Sequence, residues 1–137
     1  MIEIINRQKK HKINKKRLEV LLGKLVDHYQ LNDPDITLAL VNNKTIKELN
    51  RKYLNKNAPT DVLSFPIKEK GSDDRYYLGD IIISVQKASD QALQEKIGLE
   101  KELEALTIHG FLHLLGYEHD MGLEKEEAKI KKLYHEG

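Results

Sequence analysis

His109-Gly110-Phe111-Leu112-His113-Leu114-Leu115-Gly116-Tyr117-Glu118-His119 (HGFLHLLGYEH) holds three of the six histidines of this 137-residue chain, spaced i, i+4 and i+10. On a helix, residues four apart share a face, with Cβ atoms roughly 6 Å apart. That gap lets two imidazoles converge on one ion with bonds of about 2 Å. Gly116 stands where the helix should stop, because glycine alone enters the left-handed conformation without steric cost. The turn returns His119 toward His109 and His113. Three nitrogen ligands leave a fourth position open, the plan of a catalytic rather than a structural zinc site. The bland alternative is three histidines satisfied by backbone carbonyls.

Outward from this stretch, Leu99 to Leu115 reads as one long helix. Leu99, Leu103, Leu106, Ile108, Phe111, Leu112, Leu114 and Leu115 cover most of its circumference, so it is expected to be buried on most sides. Downstream, Met121 to His135 reads as a charged helix packed through Leu123, Ile130, Leu133 and Tyr134, with Asp120 as its cap or, like Glu118, as a partner of His119. Upstream, Gln86 to Ile97 is a helix ended by Gly98. Tyr77 to Val85 is a strand apolar enough at Ile81, Ile82 and Ile83 to be central.

Asp61 to Pro66 is a further strand, closed by its proline, and residues 67–76 form a mobile connection or loose hairpin. Asn55 to Pro59 is a loop. Asn43 caps a helix whose buried stripe is Ile46, Leu49, Tyr53 and Leu54, and strands are expected at Ile2–Asn6 and Ile36–Val41. Between those strands, Asn14 caps a helix from Lys15 to Tyr29 that buries Leu18, Leu21, Leu22, Leu25 and Val26. Asp61, Ser64, Asp80 and Ser84 beside apolar strands are expected to be satisfied structurally. The sum is one α+β domain over residues 1–137, with four short strands and about five helices.

Composition excludes more than it selects. Cysteine is absent, so any metal rests on histidine and carboxylates. The longest apolar runs are too short to span a bilayer, and the N-terminus lacks a signal-peptide core, so a cytoplasmic location is expected. The 23 basic and 22 acidic residues nearly cancel, but residues 7–17 carry seven cations and no acid. A solvated surface is the commoner meaning of such a run. The sharper one is phosphate contact with RNA, for which Lys9, Lys10, Lys12, Lys16 and Arg17 are the candidates.

The histidine spacing also fits the protease frame H-E-x-x-H-x-x-G-x-x-H at every position but one. Gly110 stands where those enzymes carry the glutamate that deprotonates the attacking water, which disfavours a peptidase. A metal alone still neutralises charge on a phosphoryl oxygen, and RNA supplies its own 2′-hydroxyl nucleophile.

Three segments together, Pro59 to Pro66 (PTDVLSFP), Leu78 to Ile81 (LGDI) and His109 to Asp120 (HGFLHLLGYEHD), make the chain resemble the YbeY family of metal-dependent endoribonucleases. That resemblance implies an α+β fold on a four-stranded mixed sheet, with one zinc ion held by His109, His113 and His119. It implies cleavage of single-stranded RNA in maturation of the small-subunit ribosomal RNA 3′ end, ribosome quality control, and contact with small-subunit ribosomal proteins and the GTPase Era. One position departs from the pattern. Family members carry arginine after the tyrosine preceding PTDVLSFP, where it is linked to RNA binding or cleavage; here Leu54 follows Tyr53. Arg51, one turn earlier, and Lys56 are the cations nearby. A second reading, an assembly factor with a structural zinc, therefore stays open beside the nuclease, with a zinc hydrolase or peptidase third.

Overall fold

The computed structural model describes residues 1–56 and 60–135. The sheet is built from β1 (Ile2–Asn6), β2 (Asp35–Val41), β3 (Val62–Lys70) and β4 (Tyr76–Ser84) in the order β1-β2-β4-β3. β1, β2 and β4 run parallel and β3 pairs antiparallel with β4, so the sheet is mixed. β4 is interior, as its isoleucines require: Ile81 and Ile83 are fully buried. Parallel neighbours need long crossovers, which α1 (Lys15–His28) supplies between β1 and β2.

Five helices are present: α1, α2 (Asn43–Leu54), α3 (Val85–Glu95), α4 (Leu99–Leu114) and α5 (Leu123–Tyr134). α4 is the spine. Leu103, Ile108, Phe111, Leu112 and Leu114 are all essentially without exposure, and they join Leu22 and Leu25 of α1 and Ile81 and Ile83 of β4 in one apolar cluster. A helix so placed needs partners for its polar residues. Thr107 donates to the Leu103 carbonyl at 2.7 Å, and Glu104 accepts from Arg17 at 2.9 Å. Burial holds the carboxyl of Glu102 above its ordinary value.

Several local expectations are corrected. Asn42, not Asn43, caps α2, its extended backbone aiming the side chain at the Thr45 N–H, 2.8 Å away. Asn43 instead accepts from Ser84 Oγ. The inner face of α2 is Ile46, Asn50 and part of Leu49; Tyr53 and Leu54 are 57% and 48% exposed, Leu54 lying on the wall of a cleft rather than in the core. Tyr53 makes an edge contact with Phe65, ring centroids 5.6 Å apart, and Lys52 Nζ lies over its ring.

Pro66 does not close β3. On an edge strand its missing N–H deprives no neighbour of a hydrogen bond, and the strand continues through a register shift to Lys70. Residues 67–70 and Tyr76 therefore belong to a β-hairpin, with Gly71 N–H donating to the Arg75 carbonyl at 2.7 Å. Lys96, at φ 59°, rather than Gly98, makes the left-handed turn after α3, and Gly98 begins α4. Gly122, at φ 88°, occupies the cap position of α5 in place of Asp120, and Leu133 is 56% exposed. The expected loop at 55–59 lies outside the described residues beyond Lys56, and so does Pro59 of PTDVLSFP. Among the described residues, no helix is long and apolar enough to cross a membrane.

Candidate metal centre

His109 and His113 sit one turn apart on the half-buried flank of α4, facing the edge strand β3. α4 ends as the spacing predicts. Gly116 adopts φ 101°, its N–H donates to the His113 carbonyl at 3.0 Å, and the Tyr117 N–H donates to the Leu112 carbonyl at 3.1 Å. This paired closure satisfies two carbonyls that a helix end leaves open. It also turns His119 back, so that its ring centroid lies 6.0 Å from that of His109 and 5.9 Å from that of His113. One nitrogen from each of the three rings falls within 4.8 Å of the others, a group that can hold a metal ion.

The donor set passes a chemical test of fit. His109 and His113 face one another through Nε2 at 3.2 Å. The opposite nitrogen of His109, Nδ1, lies 3.1 Å from Glu127, and Nδ1 of His119 lies 2.8 Å from Glu124. Nδ1 of His113 is 3.6 Å from Glu118. A carboxylate beside Nδ1 accepts a hydrogen bond from the ring N–H, which keeps the proton on Nδ1 and leaves the Nε2 lone pair bare. Two bare lone pairs at that separation repel each other unless a cation lies between them, and carboxylate-backed imidazoles are the usual surroundings of a bound metal.

The local electrostatics differ between the rings. Burial, and next the neighbouring His109, lower the pKa of His113, so its ring is held neutral. The hydrogen bond to Glu124 raises that of the exposed His119 and lowers that of Glu124. Burial pushes Glu127 up, but His109 and Lys131 together outweigh it and hold the carboxyl below its ordinary value.

Gly110 is required by packing. A Cβ there would come within 2.6 Å of Ile81 Cγ2 and 3.2 Å of Ser64 Oγ, so α4 lies too close to the sheet for any side chain. Ser64 instead donates to the Gly110 carbonyl at 3.2 Å.

The histidines open into a cleft of about 510 Å³ walled by β3 and the end of α2, with Asn50, Leu54 and Lys56 on one side and Asp61, Ser64 and Glu118 around the floor and rim. Leu54, at the departing position, thus stands on the wall itself. Lys56 also lines the cleft and Arg51 does not. Asp61 is engaged by the Val62 N–H at 2.8 Å and Gln91 Nε2 at 3.3 Å, and Ser84 caps α3. Asp80 lies outside the cleft, its carboxyl raised by burial.

The basic run divides. Lys9 and Lys10 line a groove with Arg7, His11, Asn42 and Gln86, whereas Lys16 and Arg17 lie in another depression, against Glu104 and Tyr134. Arg17 is ion-paired with Glu100 at 2.6 Å and Glu104 at 2.9 Å. Lys12 is exposed and borders neither.

Glu124 and Glu127 went unread in the sequence, where they look like the solvated face of α5. The signal available was their sign and their place in its first two turns, but only packing aims them at imidazoles.

Known proteins agree with this geometry. The family model described as endoribonuclease YbeY matches residues 3–136. An endoribonuclease YbeY of Persephonella marina is 44% identical over 121 residues, covering 86% of this chain and 76% of that protein. One from Syntrophotalea carbinolica is 37% identical over 134 residues, covering 96% and 89%. The solution structure of TM1509 from Thermotoga maritima superposes with a TM-score of 0.64 at 30% identity, covering 98% of this chain and 89% of that one. With the motif-bearing segments on one scaffold and the family match running nearly end to end, the chain belongs to the YbeY endoribonuclease family.

Proposed function

We propose that this protein is a zinc-dependent endoribonuclease that prefers single-stranded RNA and acts in maturation of the small-subunit ribosomal RNA 3′ end and in ribosome quality control. The observation that carries the reading is the set of three histidines, two of them hydrogen-bonded to carboxylates, opening into a cleft that has a cation but no protease base. When bound, the zinc ion supplies positive charge against the scissile phosphate. The chain's own residues do the rest. Lys56 is the one cation among the described residues lining the cleft, and it pairs with a phosphate oxygen. Leu63 and Pro66 line the cleft along β3. Of the two carboxylates on the cleft, Asp61 is already held by Val62 and Gln91, which leaves Glu118 to take a proton. Ribosomal proteins of the small subunit and Era are the partners that the family resemblance implies, and the short apolar runs of the chain support a cytoplasmic setting.

Labelled single-stranded RNA incubated with the protein and with His113→Ala tests this reading. Cleavage by the wild type and its loss in the variant are expected, and equal cleavage by both overturns the metal-centred mechanism. Metal analysis should find one zinc ion per chain, lost with His109→Ala.

Leu54 on the cleft wall favours a second reading, an assembly factor whose zinc is structural. It predicts a lower melting temperature for His113→Ala with no turnover by the wild type. Multiple turnover excludes it. Peptide hydrolysis is the weakest alternative, since a side chain at position 110 would run into Ile81.

A further inference from the structure

Helix α2 joins two features that its charge pattern explains together. Its last turn and the residue beyond its cap, Leu54 and Lys56, line the histidine cleft, while its N-terminal cap Asn42 lines the groove formed by Arg7, Lys9, Lys10 and His11. The helix spans about 18 Å at 1.5 Å per residue. Along it Lys44, Lys47 and Arg51 recur at i, i+3 and i+7, which places them in one stripe. That stripe lies opposite Ile46 and Leu49 and is exposed throughout.

Two observations separate this stripe from an ordinary solvated face. Several other basic side chains are held by acids: Arg17 by Glu100 and Glu104, Lys70 by Asp74, Arg75 by Asp33 and Asp35, Lys131 by Glu127. Among the described residues, no carboxylate lies within 4.0 Å of Lys44, Lys47 or Arg51, and Glu48 is the only acid on the helix. Helix stability accounts for Arg51, in the last turn, but not for Lys44. The first turn of a helix favours acids, yet that of α2 has none and carries Lys44. The groove at its far end is a built feature: the Gln8 side chain bonds to Asn6 and to the His11 carbonyl at 2.7 Å and accepts from the His11 N–H, setting Lys9 and Lys10 outward.

We infer that α2 is a track for the RNA backbone: the strand leaving the histidine cleft past Lys56 follows Lys44, Lys47 and Arg51 and ends against Arg7, Lys9 and Lys10. The partner is a flexible single strand, since its phosphates must curve from the cleft onto a convex helix. The inference rests on the endoribonuclease reading and adds to it a second contact zone at the opposite end of α2.

The test is the salt dependence of binding to an unstructured uridine-only RNA. Each phosphate contact contributes about −0.7 to the slope of log K against log salt for a single strand. The variant Lys44→Gln/Lys47→Gln/Arg51→Gln is expected to bind more weakly, with a slope shallower by about 2. The variant Lys125→Gln/Lys129→Gln/Lys132→Gln, with the same loss of charge on α5, is expected to keep the wild-type slope. Glutamine is a good helix former, so both should fold, and circular dichroism melts verify it. Equal slopes for the α2 variant and the wild type, or equal losses in the two variants, overturn the track and leave the nuclease reading intact. A wild type that neither binds nor cleaves RNA removes that reading, and the track falls with it.

Discussion

His109 offers Nε2 to the centre because Glu127 holds its other nitrogen, and this pairing is the residue-scale feature with the plainest consequence. Glu127→Ala leaves all three imidazoles in place but frees the His109 ring to rotate and change tautomer. Loss of such a partner costs about 10- to 100-fold in metal affinity, which competition with a chromophoric chelator measures. An affinity within twofold of wild type would show that Glu127 orients nothing. Gly110 yields the second residue-scale prediction. Gly110→Ala forces a methyl group against Ile81 and is expected to cost about 1–3 kcal/mol of stability, as overpacking does, read from urea unfolding. The histidines themselves were legible in the sequence because helical spacing is local. Glu127 was not, since it lies 18 residues from His109 and reaches it only when α5 folds back on α4.

Among the elements, α4 was the best read and the end of β3 the worst. A helix apolar on nearly every side has one destination, and α4 reached it. Pro66 misled because proline ends strands only where its N–H is needed, and edge position is a property of the sheet. Gly98 misled in the opposite way: a residue able to take the left-handed turn stood two positions after Lys96, which took it. The turn at Gly116 is where element and site meet. Gly116→Ala places a β-carbon at φ 101°, a conformation costing an L-residue about 1–2 kcal/mol. The expected result is a comparable loss in chemical denaturation with weaker metal binding, because His119 depends on the turn. Unchanged metal affinity would mean that His119 reaches the site without it.

Across the whole molecule, the N-terminus is tied down by charge. The Met1 ammonium lies 2.8 Å from Asp35 and 3.3 Å from Asp33, and Arg75 of the hairpin turn reaches Asp35 at 2.6 Å. Strands β1 and β2 and the β3–β4 hairpin thus share one carboxylate. The Arg75 hydrogen bond, followed by that of the N-terminus, holds Asp35 well below its ordinary value of 3.8. A carboxyl depressed in the folded state contributes stability above its unfolded pKa and loses it as pH falls through the folded one. Asp35→Asn should therefore lower the melting temperature at pH 7, with the gap to wild type closing as pH drops below 3.8. A gap that stays constant down to pH 2 would contradict this linkage.

What the sequence determined by itself was whatever depends on near neighbours: the helix under His109 and His113, the glycine turn that returns His119, and the approximate strands and helices. The exclusion of an ordinary protease base was local too, being one residue at one position. Tertiary structure alone decided which carboxylates back the imidazoles, which cation reaches the cleft, and how the basic run divides. Those outcomes depend on α5 folding against α4, on the end of α2 bordering the histidine cleft, and on α1 lying beside Glu100 and Glu104. Side chains far apart in the chain meet only after the core around Phe111 has closed, because burial of that apolar surface, not any local preference, sets where the charged residues come to rest.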